Sequence, residues 1–181
     1  MGKYNNFVYI IIATAYHRND LLINRALKSV YNQNLKNKEN IKIIIVDDNE
    51  ESQIKDNLIA INKLRCLLNI GNNEFITTII KNNRIKHKSG TGAWNTGLFY
   101  IKRNYIIENS YVAILDDDDE YLPDYLNNCL DSINTSNDSI IGAVFCQLIW
   151  RTSENDIIIN LTEDKLTQEN FFIGNPGVQG S

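Results

Sequence analysis

Residues 111–123 read YVAILDDDDEYLP, so five apolar or aromatic residues lead directly into four consecutive aspartates. The apolar run predicts a buried β-strand over residues 111–115, with Asp116–Asp119 at its C-terminal end. Carboxylates this close repel one another, so the chain needs a bound cation, a shifted pKa or full exposure to water there. Hard oxygen ligands suit Mg2+ or Mn2+, which also bind substrate phosphates. The cluster favours a metal–diphosphate site; the alternative is a solvated acidic turn that starts the next helix.

The bulk composition limits the classes of protein to consider. The 181 residues are expected to form one domain with a core of its own, and the net charge of −4 gives no field that attracts nucleic acid. No stretch approaches the roughly 20 apolar residues of a membrane span, and the N-terminus lacks a signal-peptide layout. Three widely spaced cysteines, Cys66, Cys129 and Cys146, predict reduced core thiols of a cytoplasmic protein rather than disulfides or a zinc site.

Apolar runs alternate with amphipathic stretches, which is typical of an α/β fold around a mostly parallel sheet. Strands are predicted at residues 8–13, 41–46, 75–80 and 111–115, with two further antiparallel strands at 140–150 and 157–161. Helices are predicted from a cap at Asn19 or Asp20, and over residues 52–68, 92–107 and 124–133.

Three of these helices have a predicted apolar side, which for the first helix comprises Leu22, Ala26, Leu27 and Val30. For the second it comprises Ile54, Leu58, Ile61 and Leu64, and for the third Trp94, Leu98, Ile101 and Tyr105. Trp94 is expected in the core rather than at a ligand.

Polar residues follow three of the predicted strands. Thr14, the pair Asp47 and Asp48, and Asp116–Asp119 each come directly after a strand. Because the C-terminal ends of parallel strands share one edge, where open α/β sheets bind ligands, we expect these groups to converge there. For Asp47 and Asp48, helix capping is the alternative explanation.

A glycine-containing segment, KHKSGTGAWNTG at residues 86–97, enters the third helix. Its backbone N–H groups are suited to a phosphate, with positive charge nearby at Arg84, Lys86 and Lys88. The alternative is a basic solvated loop in which the glycines serve the turn and helix packing. His87 is expected at the surface.

Five segments together resemble the nucleotide-sugar-binding half of family 2 glycosyltransferases with the GT-A fold. The order and spacing agree with that family over most of residues 7–130. The segments are Ile12–Arg18, Leu27–Gln33, Ile45–Asn49, Gly92–Gly97 and Leu115–Pro123.

The resemblance implies a Rossmann-like three-layer sandwich and a single domain over residues 1–181 that ends before the acceptor-side half. Two positions depart from the family pattern: Ala13 stands where a proline is common, and Trp94 where an arginine is common.

The resemblance also implies roles for the donor site. Thr14, Asp47 and Asp48 would contact the base and ribose of a nucleotide. Arg84 or Lys88 would neutralise its diphosphate.

For the acidic segment it implies that Asp116-x-Asp118 is the D-x-D motif. Asp118 would be the direct metal ligand, Asp116 would lie nearer the ribose or a metal-bound water, and Asp117 would belong to the nucleotide-sugar site. The expected metal is Mn2+ or Mg2+.

The implied activity is inverting, metal-dependent transfer of a hexose from a nucleoside diphosphate sugar, expected to be a UDP-sugar, to an acceptor hydroxyl. The acceptor would be a glycan or a lipid-linked glycan in polysaccharide assembly. The protein would be cytoplasmic, or peripheral at the inner membrane face, without a nucleic-acid partner or an integral membrane segment. The catalytic base is expected beyond Ser181, because Glu163 and Asp164 come too early. The alternative function is a nucleotide-sugar-binding module that lacks the base and does not catalyse transfer.

Two other phosphate-handling α/β enzymes fit the sequence less well. A nucleotidyltransferase usually has a glycine-rich basic loop after its first strand, and residues 14–20 contain no glycine. An aspartate-nucleophile phosphatase needs an aspartate directly after that strand, where Thr14 stands.

Overall fold

A computed structural model describes residues 7–15, 17–49, 54–82, 90–135, 144, 148–152 and 155–159 of the chain. The chain divides into two compact units, residues 1–126 and 127–181. None of the helices within the described ranges has the length and apolar character needed to span a bilayer.

The first unit is built on a four-stranded sheet in which every strand is parallel. The strand order is β3-β2-β1-β4. The central strands are nearly unbroken runs of β-branched residues, with Ile10–Ile12 and Ile43–Ile45 at 0% exposure, as expected where helices cover both faces. The parallel α/β fold predicted from the sequence is confirmed. The strands are β1 (Phe7–Thr14), β2 (Ile41–Asp47), β3 (Ile76–Lys81) and β4 (Ser110–Asp116).

The first helix, α1, joins three helical segments end to end: Asn19–Leu21, Leu22–Leu27 and Lys28–Tyr31. The middle segment has the wider π-type hydrogen bonding, which is rare and usually confined to one turn. A 3-10 turn, Lys38–Asn40, then leads into β2. The predicted apolar side of α1 is confirmed, since Leu22, Ala26, Leu27 and Val30 are all buried.

The predicted cap at Asn19 or Asp20 is wrong, because Arg18 occupies the N-cap position without a side-chain capping bond. The amide of Asn19 instead donates to Asn57 Oδ1 (2.8 Å), and Asp20 Oδ1 accepts from Asn24 Nδ2 (2.5 Å).

The second helix, α2 (Ile54–Leu67), buries a stripe shifted from the predicted one. Asn57, Ile61 and Leu64 face inward, whereas Leu58 is 42% exposed. The polar Asn57 occupies a core position, where its carbonyl oxygen accepts a hydrogen bond from Asn19 while its Nδ2 has no partner among the described residues. The side of a helix that is buried depends on the elements packed against it, and here Asn57 lies inside whereas Leu58, which was predicted there, does not.

The third helix, α3 (Gly90–Asn104), packs on the opposite face of the sheet from α1 and α2. On this face the core comprises Tyr9, Ile11, Ile44, Val46, Ala93, Trp94 and Ile101. On the other face, the hydroxyls of Tyr31 and Thr77 lie 2.9 Å apart, which joins α1 to β3. Trp94 is a core residue as predicted, whereas Leu98 is 39% exposed, so the predicted stripe is wrong at that position.

The last helix, α4 (Tyr125–Thr135), begins at the end of the first unit and continues into the second. The second unit also contains an antiparallel pair, β5 (Leu148–Arg151) and β6 (Asp156–Ile159). Next to the pair, the Thr152 N–H donates to Asn155 O (3.0 Å). The antiparallel pairing is confirmed over these residues, while 140–143, 145–147 and 160–161 of the predicted strands lie outside the described residues.

The cysteines differ from the prediction of three core thiols. Cys66 lies on the exposed side of α2 and Cys129 is half-buried, and both are free thiols. Cys146 lies outside the described residues.

Gly97 permits the close approach between α3 and β1. A Cβ atom at this position would lie 2.7 Å from Ile11 Cγ2, closer than a carbon–carbon contact allows. We therefore expect Gly97→Ala to destabilise the protein by roughly 1–3 kcal/mol, although alanine is the better helix former. Urea unfolding followed by circular dichroism measures the change.

The matched control is Gly71→Ala, where the new Cβ would meet only the flexible Glu74 side chain, at 3.4 Å. We expect it to change the free energy of unfolding by less than about 0.5 kcal/mol. A Gly97→Ala protein as stable as the wild type would contradict the proposed close packing.

Candidate functional site

The ends of the four strands form the candidate site. Thr14 lies in register with Asp47, and Ala13 with Asp116. The ladder extends one residue beyond the strands, since the Asp48 N–H donates to Thr14 O (2.9 Å) and the Asn82 N–H to Asp47 O (2.8 Å). The sheet therefore places the polar groups predicted after β1, β2 and β4 on one edge, beside the end of β3.

The turn after β2 is fixed by the Asp47 side chain. Asp47 is completely buried, and its Oδ1 accepts hydrogen bonds from the backbone N–H of Asn49 (3.1 Å) and from the Asn49 side-chain amide. Lys81 Nζ donates to Asn49 O, which ties the end of β3 to the same turn. The buried Asp47 carboxylate therefore stabilises the turn. Asp48 is only half-buried, so it is the more accessible carboxylate of the pair.

Asp48 is partly exposed and lies against Asn82. Asn82 Nδ2 donates to Asp48 Oδ1 (2.5 Å), and Asn82 Oδ1 accepts from the Thr96 hydroxyl (2.7 Å). Residues from β2, β3 and α3 thus meet through one side-chain amide.

The acidic segment after β4 forms a tight loop, closed by the Asp119 N–H donating to Asp116 O (3.1 Å). Because the turn brings residues three apart together, one carboxylate oxygen each of Asp116, Asp118 and Asp119 lies within 4.8 Å of the others. Three converging hard oxygen donors, with Asp118 exposed, are a suitable set for a divalent cation that retains water ligands. Asp116 and Asp118 were predicted as metal ligands; Asp119 was not.

Asp117 is directed differently and is only 2% exposed. The Arg18 guanidinium forms an ion pair with Asp117 Oδ1 through Nε (3.0 Å) and a second ion pair with the Asp118 carboxylate through Nη2. Arg25 Nη1 donates to the backbone O of Asp118 (2.6 Å). Two arginines, one at the N-cap and one in the middle segment of α1, therefore hold the acidic loop, and Asp117 faces the protein rather than the other three carboxylates.

The Thr14 hydroxyl lies beside Asp117 and is also buried. Burial raises the pKa of Asp117, while Arg18 and this hydroxyl oppose the increase. Within the described ranges, however, neither Thr14 Oγ1 nor Asp117 Oδ2 has a hydrogen bond of good geometry. Both atoms therefore retain capacity for a water molecule or a ligand.

The raised pKa of Asp116 reflects its burial and the negative charge of the neighbouring carboxylates. Burial raises its pKa from 3.8 to about 6, with further contributions from the charges of Asp119, Asp118 and Asp117, and with Arg18 opposing them. The arginine therefore compensates the loop only in part. A divalent cation among the three converging carboxylates would supply the remaining positive charge, so the residues fit such an ion.

The N-terminus of α3 borders the same loop. A Cβ built on Gly90 would lie 3.9 Å from Asp116 Oδ1 and 3.4 Å from the Trp94 ring. The predicted diphosphate-binding residues Arg84 and Lys88, like Lys86 and His87, lie outside the described residues.

Sequence reasoning missed three residues of this edge. Asp119 was available from the four-residue acidic run, because a tight turn brings positions i and i+3 together. Arg18 stands in the segment Ile12–Arg18 of the family resemblance but received no role, since its partners lie far away in the sequence. Asn82 belongs to an Asn-Asn pair that is indistinguishable from the general asparagine bias of the chain.

The family model described as "Glycosyl transferase family 2" matches residues 10–155. No curated protein matches the sequence significantly.

Two of the solved structures that share the fold illustrate the similarity. The mannosyltransferase PcManGT from Pyrobaculum calidifontis, in complex with GDP-Man and Mn2+, is 21% identical with a TM-score of 0.54, over 80% of this chain and 36% of that one. TarS of S. aureus, in its 1–349 form, is 20% identical with a TM-score of 0.50, over 71% of this chain and 32% of that one. The chain spans about a third of the length of each. With the family match covering most of its length, the chain belongs to glycosyl transferase family 2 and its parallel sheet is that of the GT-A fold.

Proposed function

We propose that the strand-end site binds a nucleoside diphosphate sugar together with a divalent metal ion, and that the chain serves the transfer of the sugar to an acceptor hydroxyl. The observation that carries this proposal is the convergence of Asp116, Asp118 and Asp119 beside the buried Thr14 and Asp47. An acidic turn that served only to start a helix would not need three carboxylates directed at one point.

For the metal we propose Mn2+ or Mg2+, held by Asp118 and Asp116 with Asp119 as a third ligand. When bound, the ion stabilises negative charge that develops on the leaving diphosphate. Arg18 and Arg25 hold the loop in the geometry that presents these carboxylates. The structural neighbour PcManGT was solved with Mn2+ and GDP-Man, which supports the choice by analogy of fold.

For the nucleoside we propose that Thr14, Asp47 and Asp48 contact the base and ribose. Asp48 is the accessible carboxylate and is suited to ribose hydroxyls, while the buried Asp47 shapes the turn around them. Asp117 contributes to this site through Thr14 and Arg18, which lie against it. Arg84 and Lys88 remain our candidates for the diphosphate.

The reaction we propose is an inverting, single-displacement transfer of a hexose, with a UDP-sugar as the donor and a glycan or lipid-linked glycan as the acceptor. It would serve polysaccharide assembly in the cytoplasm or at the inner membrane face. A carboxylate would deprotonate the acceptor hydroxyl; we assign no described residue to this role.

Calorimetry with UDP, GDP, CDP and dTDP tests the donor site directly. In the presence of Mn2+ or Mg2+ we expect one nucleotide, UDP first among them, to bind, and EDTA to abolish binding. Asp118→Ala should reduce the metal-dependent affinity at least roughly tenfold, because it removes an exposed ligand from the ion. Asp56→Ala, a loss of one exposed carboxylate on α2, is the matched control and should bind as the wild type does.

Failure of the folded protein to bind any of the four nucleotides with metal present would overturn the proposal. Binding unchanged by EDTA and by Asp118→Ala would exclude the metal assignment alone. Transfer to an acceptor, assayed separately, distinguishes the enzyme from the binding module that lacks a base, since the module would at most hydrolyse the donor.

The raised pKa of Asp116 predicts a pH-dependent stability in the absence of metal. The folded protein binds this proton more tightly than the unfolded chain, so stability falls as the pH rises from about 4 through about 6. At pH 7 in EDTA, Asp116→Asn should therefore be more stable than the wild type, by roughly 1–2 kcal/mol after allowance for solvent screening.

The same variant should lose the increase in melting temperature that Mn2+ gives the wild type. Thermal unfolding at pH 4 and pH 7, with Mn2+ or EDTA, measures both effects, and Asp56→Asn controls for the loss of one charge. If Asp116→Asn were less stable than the wild type at pH 7 in EDTA, the prediction would be wrong. The negative charge of Asp116 would then already be compensated in the metal-free protein.

A further inference from the structure

Asn82, the first residue after β3, joins three elements of the strand-end site and is only 3% exposed. Its backbone N–H donates to Asp47 O (2.8 Å), its side-chain Nδ2 donates to Asp48 Oδ1 (2.5 Å), and its Oδ1 accepts from the Thr96 hydroxyl (2.7 Å). Its backbone N–H and both polar atoms of its side chain therefore bond to residues at the end of β2 or in α3.

The chemistry of its partners fixes the orientation of the Asn82 amide. An ionised carboxylate only accepts hydrogen bonds, so the NH2 group must face Asp48. The amide oxygen then faces Thr96, whose hydroxyl must donate. The Thr96 hydroxyl has only one hydrogen to donate. Its oxygen also lies 3.1 Å from Gly92 O, which is farther than Asn82 Oδ1, so Asn82 is the better acceptor.

This arrangement restrains the side chain of Asp48. Its backbone is fixed by the bond to Thr14 O (2.9 Å), but a partly exposed aspartate just beyond a strand end can still rotate about its side-chain bonds. The charge-assisted bond from Asn82 to Oδ1 restrains the rotation of the carboxylate and hence the direction of Oδ2. Thr96 in turn prevents the amide from turning over.

We propose that Asn82 is a positioning residue for the nucleoside, which holds the Asp48 carboxylate in the orientation that receives the ribose hydroxyls. This inference rests on the proposed function of the site. It also assigns a role to the segment Gly92–Gly97 of the family resemblance: Thr96 of α3 supports the ribose contact by fixing the Asn82 amide.

Three variants, with Asp48→Asn alone as a fourth for reference, test the arrangement through nucleotide affinity and melting temperature, measured with Mn2+. Asn82→Asp is nearly isosteric but places a carboxylate against Asp48. Thr96→Val keeps the shape of Thr96 and removes only the hydroxyl. The double variant Asp48→Asn with Asn82→Asp exchanges the two groups, so that an amide–carboxylate bond forms again while the carboxylate stands at position 82.

We expect Asn82→Asp to lower nucleotide affinity at least roughly tenfold, and Thr96→Val to lower it by less, in the range of supporting residues around a bound group. The double variant should recover the melting temperature lost in Asn82→Asp but keep the nucleotide affinity of Asp48→Asn alone. Mn2+ affinity without nucleotide, measured by electron paramagnetic resonance, should stay within about twofold of the wild type in Thr96→Val.

Several outcomes would overturn the inference. If the wild type binds nucleotide, and Asn82→Asp and Thr96→Val bind it equally well, Asn82 serves only the stability of the fold. Restoration of nucleotide affinity in the double variant leads to the same conclusion, since only the bond, and not the position of the carboxylate, would then matter. A wild type that binds Mn2+ but no nucleotide overturns the proposed function of the site and this inference with it.

Discussion

The concentration of negative charge after β4 is the constraint around which this edge of the molecule is built. Four successive carboxylates cannot remain ionised together at the end of a buried strand without compensation. The chain separates them. Asp117 is directed inward and forms an ion pair with Arg18, and Asp118 forms a second ion pair with the same arginine. The pKa of Asp116 is raised, so this carboxyl group loses its proton less readily than an ordinary aspartate. The remaining negative charge lies where the carboxylates of Asp116, Asp118 and Asp119 converge, and a divalent cation at that point would compensate it.

That geometry depends on a sheet whose strand ends are aligned to within one residue. The alignment comes from the buried isoleucine runs of β1 and β2, which are held between α1 and α2 on one side and α3 on the other. Gly97 lets α3 approach Ile11 closely, and the first turn of α3 then borders Asp116. Packing in the centre of the domain therefore sets distances among polar groups at its edge.

Sequence reasoning found the elements that depend on local pattern and missed those that depend on distant partners. The parallel strands, the covered faces of the sheet and the convergence of Thr14, Asp47 and Asp116 follow from apolar periodicity and the rules for strand ends. Leu58 was expected inside and Asn57 was not, because only the folded chain shows that Asn19 supplies a partner for that amide. Arg18 and Asn82 were missed for the same reason, since a single sequence carries no signal for a contact formed across many residues.

The bond between Arg25 and the backbone of Asp118 joins positions 93 residues apart. Contacts of such long range form only after the intervening chain has collapsed, because loop closure must precede them. During synthesis, β1 and α1 leave the ribosome well before the acidic loop does. We therefore expect the loop to acquire its arginine partners only when β4 joins β1, so the arrangement of the acidic loop depends on completion of the sheet rather than on a local folding step.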